Sequence, residues 1–505
     1  MPHHALDVRS RDDAALAERL TRLRDELELP GRFPEEVLRE AERAAQRVPA
    51  AVASGPAWAD RTDVPFVTVD PAGSTDLDQA LHLEQGPGER RITVRYAIAD
   101  VPAFVAPEGA VDAEARRRGQ TVYLPDGRVP LHPPVLSEDA ASLLPGVDRP
   151  AFVWTFLLDA DGTVLETGLE RARVRSRRQL SYPEVQAFLD DPQSPAAADW
   201  PEPVRACLAL LPEVGRRRAA QEAARGGASL TMPDQEVHVE DGRYRIVHRV
   251  PLPAEDHNAQ LSLMTGMAAA AVMLEAGVGV LRTMPAPDEE AVAAFRARTH
   301  ALGLPWEEGV DYGTYLRGVD PSDPRGLAVM HAATSLFRGA GYTVFDTASE
   351  DEALRTPPED PRQAALAAPY THATAPLRRL VDRFVLALCH AVVTGAEVPG
   401  WVRSALPELP ALMADSGRRA SAADSAATDL VEAAALADRV GEVLEGTVVR
   451  ARENAVEVQV ADPAVALTVP GRAEAGAVVR VRVDAVDVAS GSVTVSGVDW
   501  PHSIR

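Results

Sequence analysis

The spacing of apolar residues changes period twice along this chain, and this limits the fold more than any single motif does. Leu16, Leu20, Leu23 and Leu27 recur at helical spacing behind Asp12 and Asp13, and Val37, Leu38, Ala41 and Ala45 form a second helical stripe behind Pro34. This pair reads either as a helix-turn-helix or, since neither face is strongly basic, as a small packing element. A Pro/Ala-rich linker is expected over 48–64. Strand patterns then begin with FVTVD (66–70), ITVRYAIADV (92–101) and a hairpin over 152–176 that turns at Asp161-Gly162. Helical patterns dominate from Pro183 onward, with helices expected over 204–224, 255–275, 289–302, 377–393 and 421–440, while 190–203 is a loop by composition. The last 65 residues alternate strictly in AVEVQV, VVRVRVDAVDV and SVTVSGV, the pattern of a small antiparallel barrel of the OB type. The expected fold is α+β and multidomain, with a helical N-terminal region over 1–50, a large domain of mixed sheet packed by helices over 51–440, and the terminal barrel over 441–505.

At 505 residues the chain is too long for one core. Its 46% hydrophobic and 25% charged residues are ordinary for a soluble globular protein. The least polar run, 267–281, contains Glu275 and is short for a membrane span, so it reads as a buried helix. The N-terminus lacks the apolar stretch of a secretory signal, and the two cysteines, Cys207 and Cys389, are far apart, so a reducing cytoplasm is the expected location. A net charge of −23 opposes generic nucleic-acid binding but is compatible with a basic channel in an acidic body. No lysine occurs, so every side-chain phosphate contact would come from the planar fork of arginine.

One loop concentrates negative charge. In VTVDPAGSTDLDQALHLE (67–84) a strand ends at Asp70 and turns through Pro71 and Gly73, which allows Asp70, Asp76 and Asp78 to aim at one point. Clustered carboxylates repel unless a cation neutralises them, and hard oxygen donors suit Mg²⁺. On the loop alone, a solvated acidic turn or a structural calcium loop is the favoured reading, because acidic loops are common.

Further blocks follow in order: YAIADVPAFV (96–105), EARRRGQTVYLPDGRVPLHPPVLSEDAASLLPGVDRP (114–150), RSRRQLSYPEV (175–185) and YTHATAPLRRLVD (370–382). Together with the acidic loop they resemble the ribonuclease II (RNB) family of exoribonucleases over most of 63–440. The resemblance implies an RNB catalytic domain in which Asp70, Asp76 and Asp78 bind metal, with Asp76 and Asp78 catalytic and Asp78 the most essential. It implies that Tyr123 stacks on a nucleotide at the RNA 3′ end, that Tyr182 is a second tyrosine of the active site, and that Arg378 clamps the scissile phosphate. Arg379 is expected either to contact RNA as well or to pair with Asp382, and His372 to be structural.

Two positions depart from the family pattern. Gln79 stands where a fourth aspartate is usual, as a neutral metal donor, and in HNAQLSLMTG (257–266) Gln260 replaces the second glutamate of a pair, as a contact to RNA. The terminal barrel has no Phe, Tyr or Trp over 441–498, so weak contact with the RNA backbone through Arg450, Arg452, Arg480 and Arg482 is expected there. The implied activity is processive 3′→5′ hydrolysis of single-stranded RNA to 5′-nucleoside monophosphates with Mg²⁺, or Mn²⁺ in its place. The implied protein is a monomer with no membrane partner. The alternative is a catalytically silent RNA-binding protein of the same fold.

Overall fold

A computed structural model of the chain describes residues 11–55, 57–228, 234–240, 243–249, 251–336, 338–462, 465–498 and 500. Two helices come first, α1 (Arg11–Glu26) and α2 (Glu35–Ser54). Strands β1 (Ala59–Asp70), β2 (Gln79–Gln85), β3 (Ile92–Ala99), β6 (Asp148–Leu158) and β7 (Val164–Ser181) close into a barrel, with the short hairpin β4 (Val122–Leu124) and β5 (Gly127–Val129) set outside it. Neighbouring barrel strands are antiparallel except at the seam, where β1 runs parallel to β7. That seam removes the free sheet edges.

Alternation along the strands explains how both faces are covered. Ile92, Val94, Tyr96 and Ile98 join one core with helices Pro253–Ala276 and Leu380–Val393. Ala97 and Ala99 join another core with Val37, Ala41, Ala44 and Val48 of α2. Helix α1 instead packs Leu16, Leu20 and Leu23 against the long helix Leu409–Leu436 and the terminal barrel. The two N-terminal helices therefore bury their apolar faces in separate cores, as packing elements do. The terminal sheet has five antiparallel strands between Val443 and Val498, wound into a nearly closed barrel around Val448, Val458, Val469 and Val481.

Several expected boundaries move for identifiable reasons. The linker expected over 48–64 is mostly structured, because α2 runs to Ser54 and the pairing of β1 with β7 extends β1 back to Ala59. The helix expected over 204–224 breaks into Glu202–Ala209 and Leu211–Ala224, where Pro212 fits only a first turn. The run 267–281 is not one helix: Gly277 adopts the left-handed conformation that ends it (φ 70°), and Val278–Thr283 pairs as a strand with Gly341–Asp346. Even so, helix Pro253–Ala276 is long and apolar enough to cross a membrane by length and composition, and it places Leu261, Met264, Ala269 and Met273 in the core. The helix expected from 421 starts at Leu409, since burial of Leu409 and Met413 outweighs the weak helical preference of the Asp-Ser-Gly stretch.

Behind the start of helix Leu380–Val393, Arg383 donates to Asp112 at 2.6 Å, and each is only 1% exposed. His132 is buried close to this pair, and burial together with the Arg383 charge lowers its pKa to about 3. The unfolded chain therefore takes up a proton first as the pH falls. The stability held by neutral His132 is fully present above its ordinary pKa of 6.5 and is lost progressively towards pH 3, at about 1.4 kcal/mol per pH unit. We expect His132→Gln to flatten the decline of stability between neutral pH and about pH 5, measured by urea denaturation; parallel declines for the two proteins would remove His132 as its source.

Candidate active site

Barrel registry brings the acidic loop together with a helix start. Asp70, the last residue of β1, is paired with Ser181, the last residue of β7. Ser181 caps helix Tyr182–Asp190 in a reciprocal capping box with Glu184, which sets Tyr182 at the first helical position, next to the end of β1. The loop then returns to β2 through Asp76 and Asp78. Ser142 Oγ accepts from Leu77 N–H at 2.9 Å, and Asp78 C=O accepts from Ala99 N–H at 2.9 Å.

A second segment meets this loop from the front. Residues 370–379 remain non-helical up to Arg379, so the helix expected from 377 begins at Leu380. Thr121 N–H donates to Arg378 C=O at 2.9 Å and Leu380 N–H donates to Gly119 C=O at 3.0 Å, which fixes the path of this segment. Leu377 N–H donates to Asp78 Oδ1 at 2.8 Å, and Arg378 Nε lies 3.5 Å from Asp78 Oδ2. The Arg378 side chain keeps 46% of its surface open, against 5% for Asp78. A charged fork is thus held over a buried carboxylate with donors to spare.

Hairpin β4–β5 supplies a third side. Its register opposes Tyr123 to Arg128. Arg128 donates to Asp76 Oδ1 at 2.5 Å and also pairs with Glu138 at 2.8 Å, while Tyr123 Oη donates to Asp76 Oδ2 at 3.4 Å. Sequence reasoning missed Arg128. The signal was present, because a Pro-Asp-Gly turn in TVYLPDGRV places the residue after glycine across from the tyrosine.

Burial dominates the electrostatics. It raises the Asp70 pKa to about 7, against the pull of Arg378 and with a further push from Asp76. It lifts Asp78 well above the usual carboxylate range, although Arg378 and the Leu377 N–H oppose the rise. Burial also raises Tyr182 to about 12, with Asp70 adding to the effect, and raises Tyr123 in the same way. Asp70 Oδ2 is buried without a hydrogen-bond partner among the described residues.

These observations test the fit of a divalent cation. Among the described residues no three His, Cys, Asp or Glu are gathered tightly enough to form a metal cage. The donor chemistry nonetheless suits a hard cation, because Asp70 and Asp78 are desolvated carboxylates and one oxygen of Asp70 is unpartnered. Asp76 is already neutralised by Arg128.

The remaining predicted residues are engaged elsewhere. Gln79 donates its amide to Thr374 C=O at 2.5 Å and accepts from Tyr96 Oη at 2.7 Å, while Ser262 Oγ lies 2.9 Å from the same tyrosine oxygen. It thus ties the acidic loop to the arginine segment with both ends of its amide. On helix Pro253–Ala276, Asn258 donates to Tyr182 Oη at 3.2 Å, and Ser262, one turn on, faces Tyr96. Gln260 falls on another face of that helix and donates to Glu222 at 3.0 Å, so the structure does not bring it to the aspartates. Arg379 takes the second of its two expected roles, donating to both oxygens of Asp382 at 3.0 and 2.8 Å. His372 sits against Tyr342 Oη at 2.5 Å, and burial holds its pKa well below the ordinary value.

An acidic barrel mouth faced by arginine and tyrosine, in a chain that also carries a small terminal β-barrel, defines a class of protein that comparison identifies. The RNB domain matches residues 59–395, and the RNase II-type exonuclease C-terminal S1 domain matches 442–498. The chain belongs to the RNB family. It is 27% identical over 441 residues to ribonuclease R of Thermotoga maritima, covering 83% of this chain and 58% of that protein. Over 142 residues it is 41% identical to two Arabidopsis thaliana proteins, DIS3-like exonuclease 2 and inactive exonuclease DIS3L2, covering 28% of this chain and 13% of each. The chain thus spans less than two thirds of the length of these relatives. Its fold matches that of Mycoplasma genitalium RNase R, solved with ribose-methylated single-stranded RNA, with a TM-score of 0.85 at 18% identity over 96% of this chain and 78% of that one.

Gln79→Glu would set a carboxylate oxygen against the Thr374 carbonyl in place of the amide donor. We expect it to lower stability in metal-free buffer by about 1–3 kcal/mol, read from urea midpoints; an unchanged midpoint would show that the amide bridge contributes nothing.

Proposed function

We propose that the chain is a 3′→5′ exoribonuclease that degrades single-stranded RNA to 5′-nucleoside monophosphates with a divalent cation, Mg²⁺ or Mn²⁺. The observation that carries this reading is the convergence of Asp70, Asp76 and Asp78 with Arg378 and Tyr123, drawn from three separate segments of an RNB-family chain. Asp70 and Asp78 would hold the cation, with Asp76 joining once Arg128 turns to Glu138 or to RNA phosphate. When bound, the cation supplies positive charge where negative charge builds up during phosphodiester cleavage.

The chain's own residues do the rest. Arg378 offers its open guanidinium to the non-bridging phosphate oxygens and offsets transition-state charge. Tyr123 gives the terminal base a flat face, which holds any base and so suits degradation without sequence preference. Tyr182 Oη keeps its proton at neutral pH and is available as a donor beside Asp70. The RNA 2′-hydroxyl is the natural discriminator against DNA.

A silent RNA clamp is the second reading. It is favoured by the Gln79 amide bridge to Thr374, by the Arg128–Asp76 ion pair, and by the existence of a relative named inactive. A time course with 5′-labelled single-stranded RNA, Mg²⁺ or Mn²⁺, and a chelator control separates the two. A ladder shortening from the 3′ end supports the enzyme, whereas an intact, shifted band supports the clamp. We expect Asp78→Asn to lower the cleavage rate by at least about a hundredfold while RNA affinity in chelator stays within about twofold. Wild-type cleavage in this variant would remove Asp78 from the mechanism. We expect Tyr123→Ala to lengthen the final undegraded fragment on the same gels, and an unchanged end product would argue against stacking there.

A further inference from the structure

The hairpin that carries Tyr123 and Arg128 has three residues per strand. A two-stranded ribbon of that length does not hold its place alone, so its position comes from what it packs on. Alternation divides its faces. Tyr123 and Arg128 meet Asp76, while Val122, Leu124 and Val129 are buried in the core formed by α1, helix Leu409–Leu436 and the terminal barrel. At the turn, Asp126 receives a bidentate grip from Arg24 of α1, at 2.9 Å on Oδ2 and 2.7 Å on Oδ1. The two side chains are 24% and 19% exposed, and Arg24 Nη1 also donates to Leu20 C=O at 3.1 Å. Paired forks of this kind fix orientation as well as distance. Arg24 lies outside both family-matched segments, 59–395 and 442–498.

We propose that Arg24 is a positioning residue for RNA cleavage: through Asp126 it sets the hairpin that holds Tyr123 and Arg128 over Asp76. The proposal rests on the exoribonuclease reading. The N-terminal helix α1 thus takes part in placing the 3′ end of the RNA through the hairpin. Losing the tie lets the hairpin shift as a unit, which weakens the hold on substrate more than it alters the Asp78–Arg378 pair.

The test uses the full chain and a 5′-labelled single-stranded oligoribonucleotide with Mg²⁺. The variants are Arg24→Ala, Arg24→Met (which keeps the aliphatic stem), Asp126→Ala and the charge swap Arg24→Asp/Asp126→Arg. Arg19→Ala is the control, because Arg19 ties the same helix to Ala489 C=O of the terminal barrel and not to the hairpin. All assays run well below each variant's melting temperature. We expect the single variants at 24 and 126 to raise KM about fivefold with kcat within about twofold, and to lengthen the final fragment as Tyr123→Ala does. The swap recovers both, and Arg19→Ala changes neither. Single variants with wild-type KM and end product, whatever their melting temperature, overturn the proposal, as does a folded swap that recovers nothing.

If the wild-type protein leaves RNA intact, the exoribonuclease reading falls and the tie is judged by the dissociation constant for the same oligonucleotide in chelator. Loss of affinity in Arg24→Met and Asp126→Ala with recovery in the swap supports it, and equal affinities refute it.

Discussion

The parallel pairing of β1 with β7 is the constraint from which the site follows. Strands that run parallel end on the same side, so closing the barrel at this seam puts the last residue of each strand at one mouth. Asp70 and Ser181 are those residues, and the helix capped by Ser181 starts with Tyr182. The acidic loop must cross the same mouth to reach β2. The remaining components are brought to a place that the seam has already chosen: arginine from the segment before helix Leu380–Val393, and tyrosine from a hairpin outside the barrel.

Arginine takes two different parts around this mouth. Arg379 and Arg383 are sunk into Asp382 and Asp112, where the charge is spent on holding a helix start in position. Arg378 and Arg128 remain at the edge of the acidic cluster, where Arg378 faces Asp78, a carboxylate that desolvation makes costly to ionise, and Arg128 pairs with Asp76. A chain with a net charge of −23 thus keeps an open guanidinium, that of Arg378, at the edge of its acidic cluster. In the terminal barrel this resource is partly committed, since Arg450 and Arg452 lie against Glu457 and Arg482 against Asp484.

Much of the architecture was legible in the sequence because period-2 and helical patterns are local. The five-stranded terminal barrel, the strands at 66–70 and 92–99, and the helix from 289 are of that kind. The three aspartates and Arg378 were legible as members of ordered motifs. What escaped depends on pairings between distant segments. Arg128 matters only because its hairpin folds onto Asp76, and the role of Gln79 depends on the Thr374 carbonyl, 295 residues away. Gln260 was placed by likeness to a family position, but the helical turn aims it at Glu222. Tyr96 lies inside a strand pattern that carries no local sign of its hydroxyl's place between Gln79 and Ser262.

The bond from Leu377 to Asp78 uses a main-chain donor. Drift in the side chain at 377 therefore leaves that link intact, and only a change in the course of the polypeptide, such as an inserted residue or an imino acid, would sever it. The alignment of arginine with carboxylate is stored in the length of one short segment, so the spacing there is held independently of what the buried side chain at 377 contributes to the core.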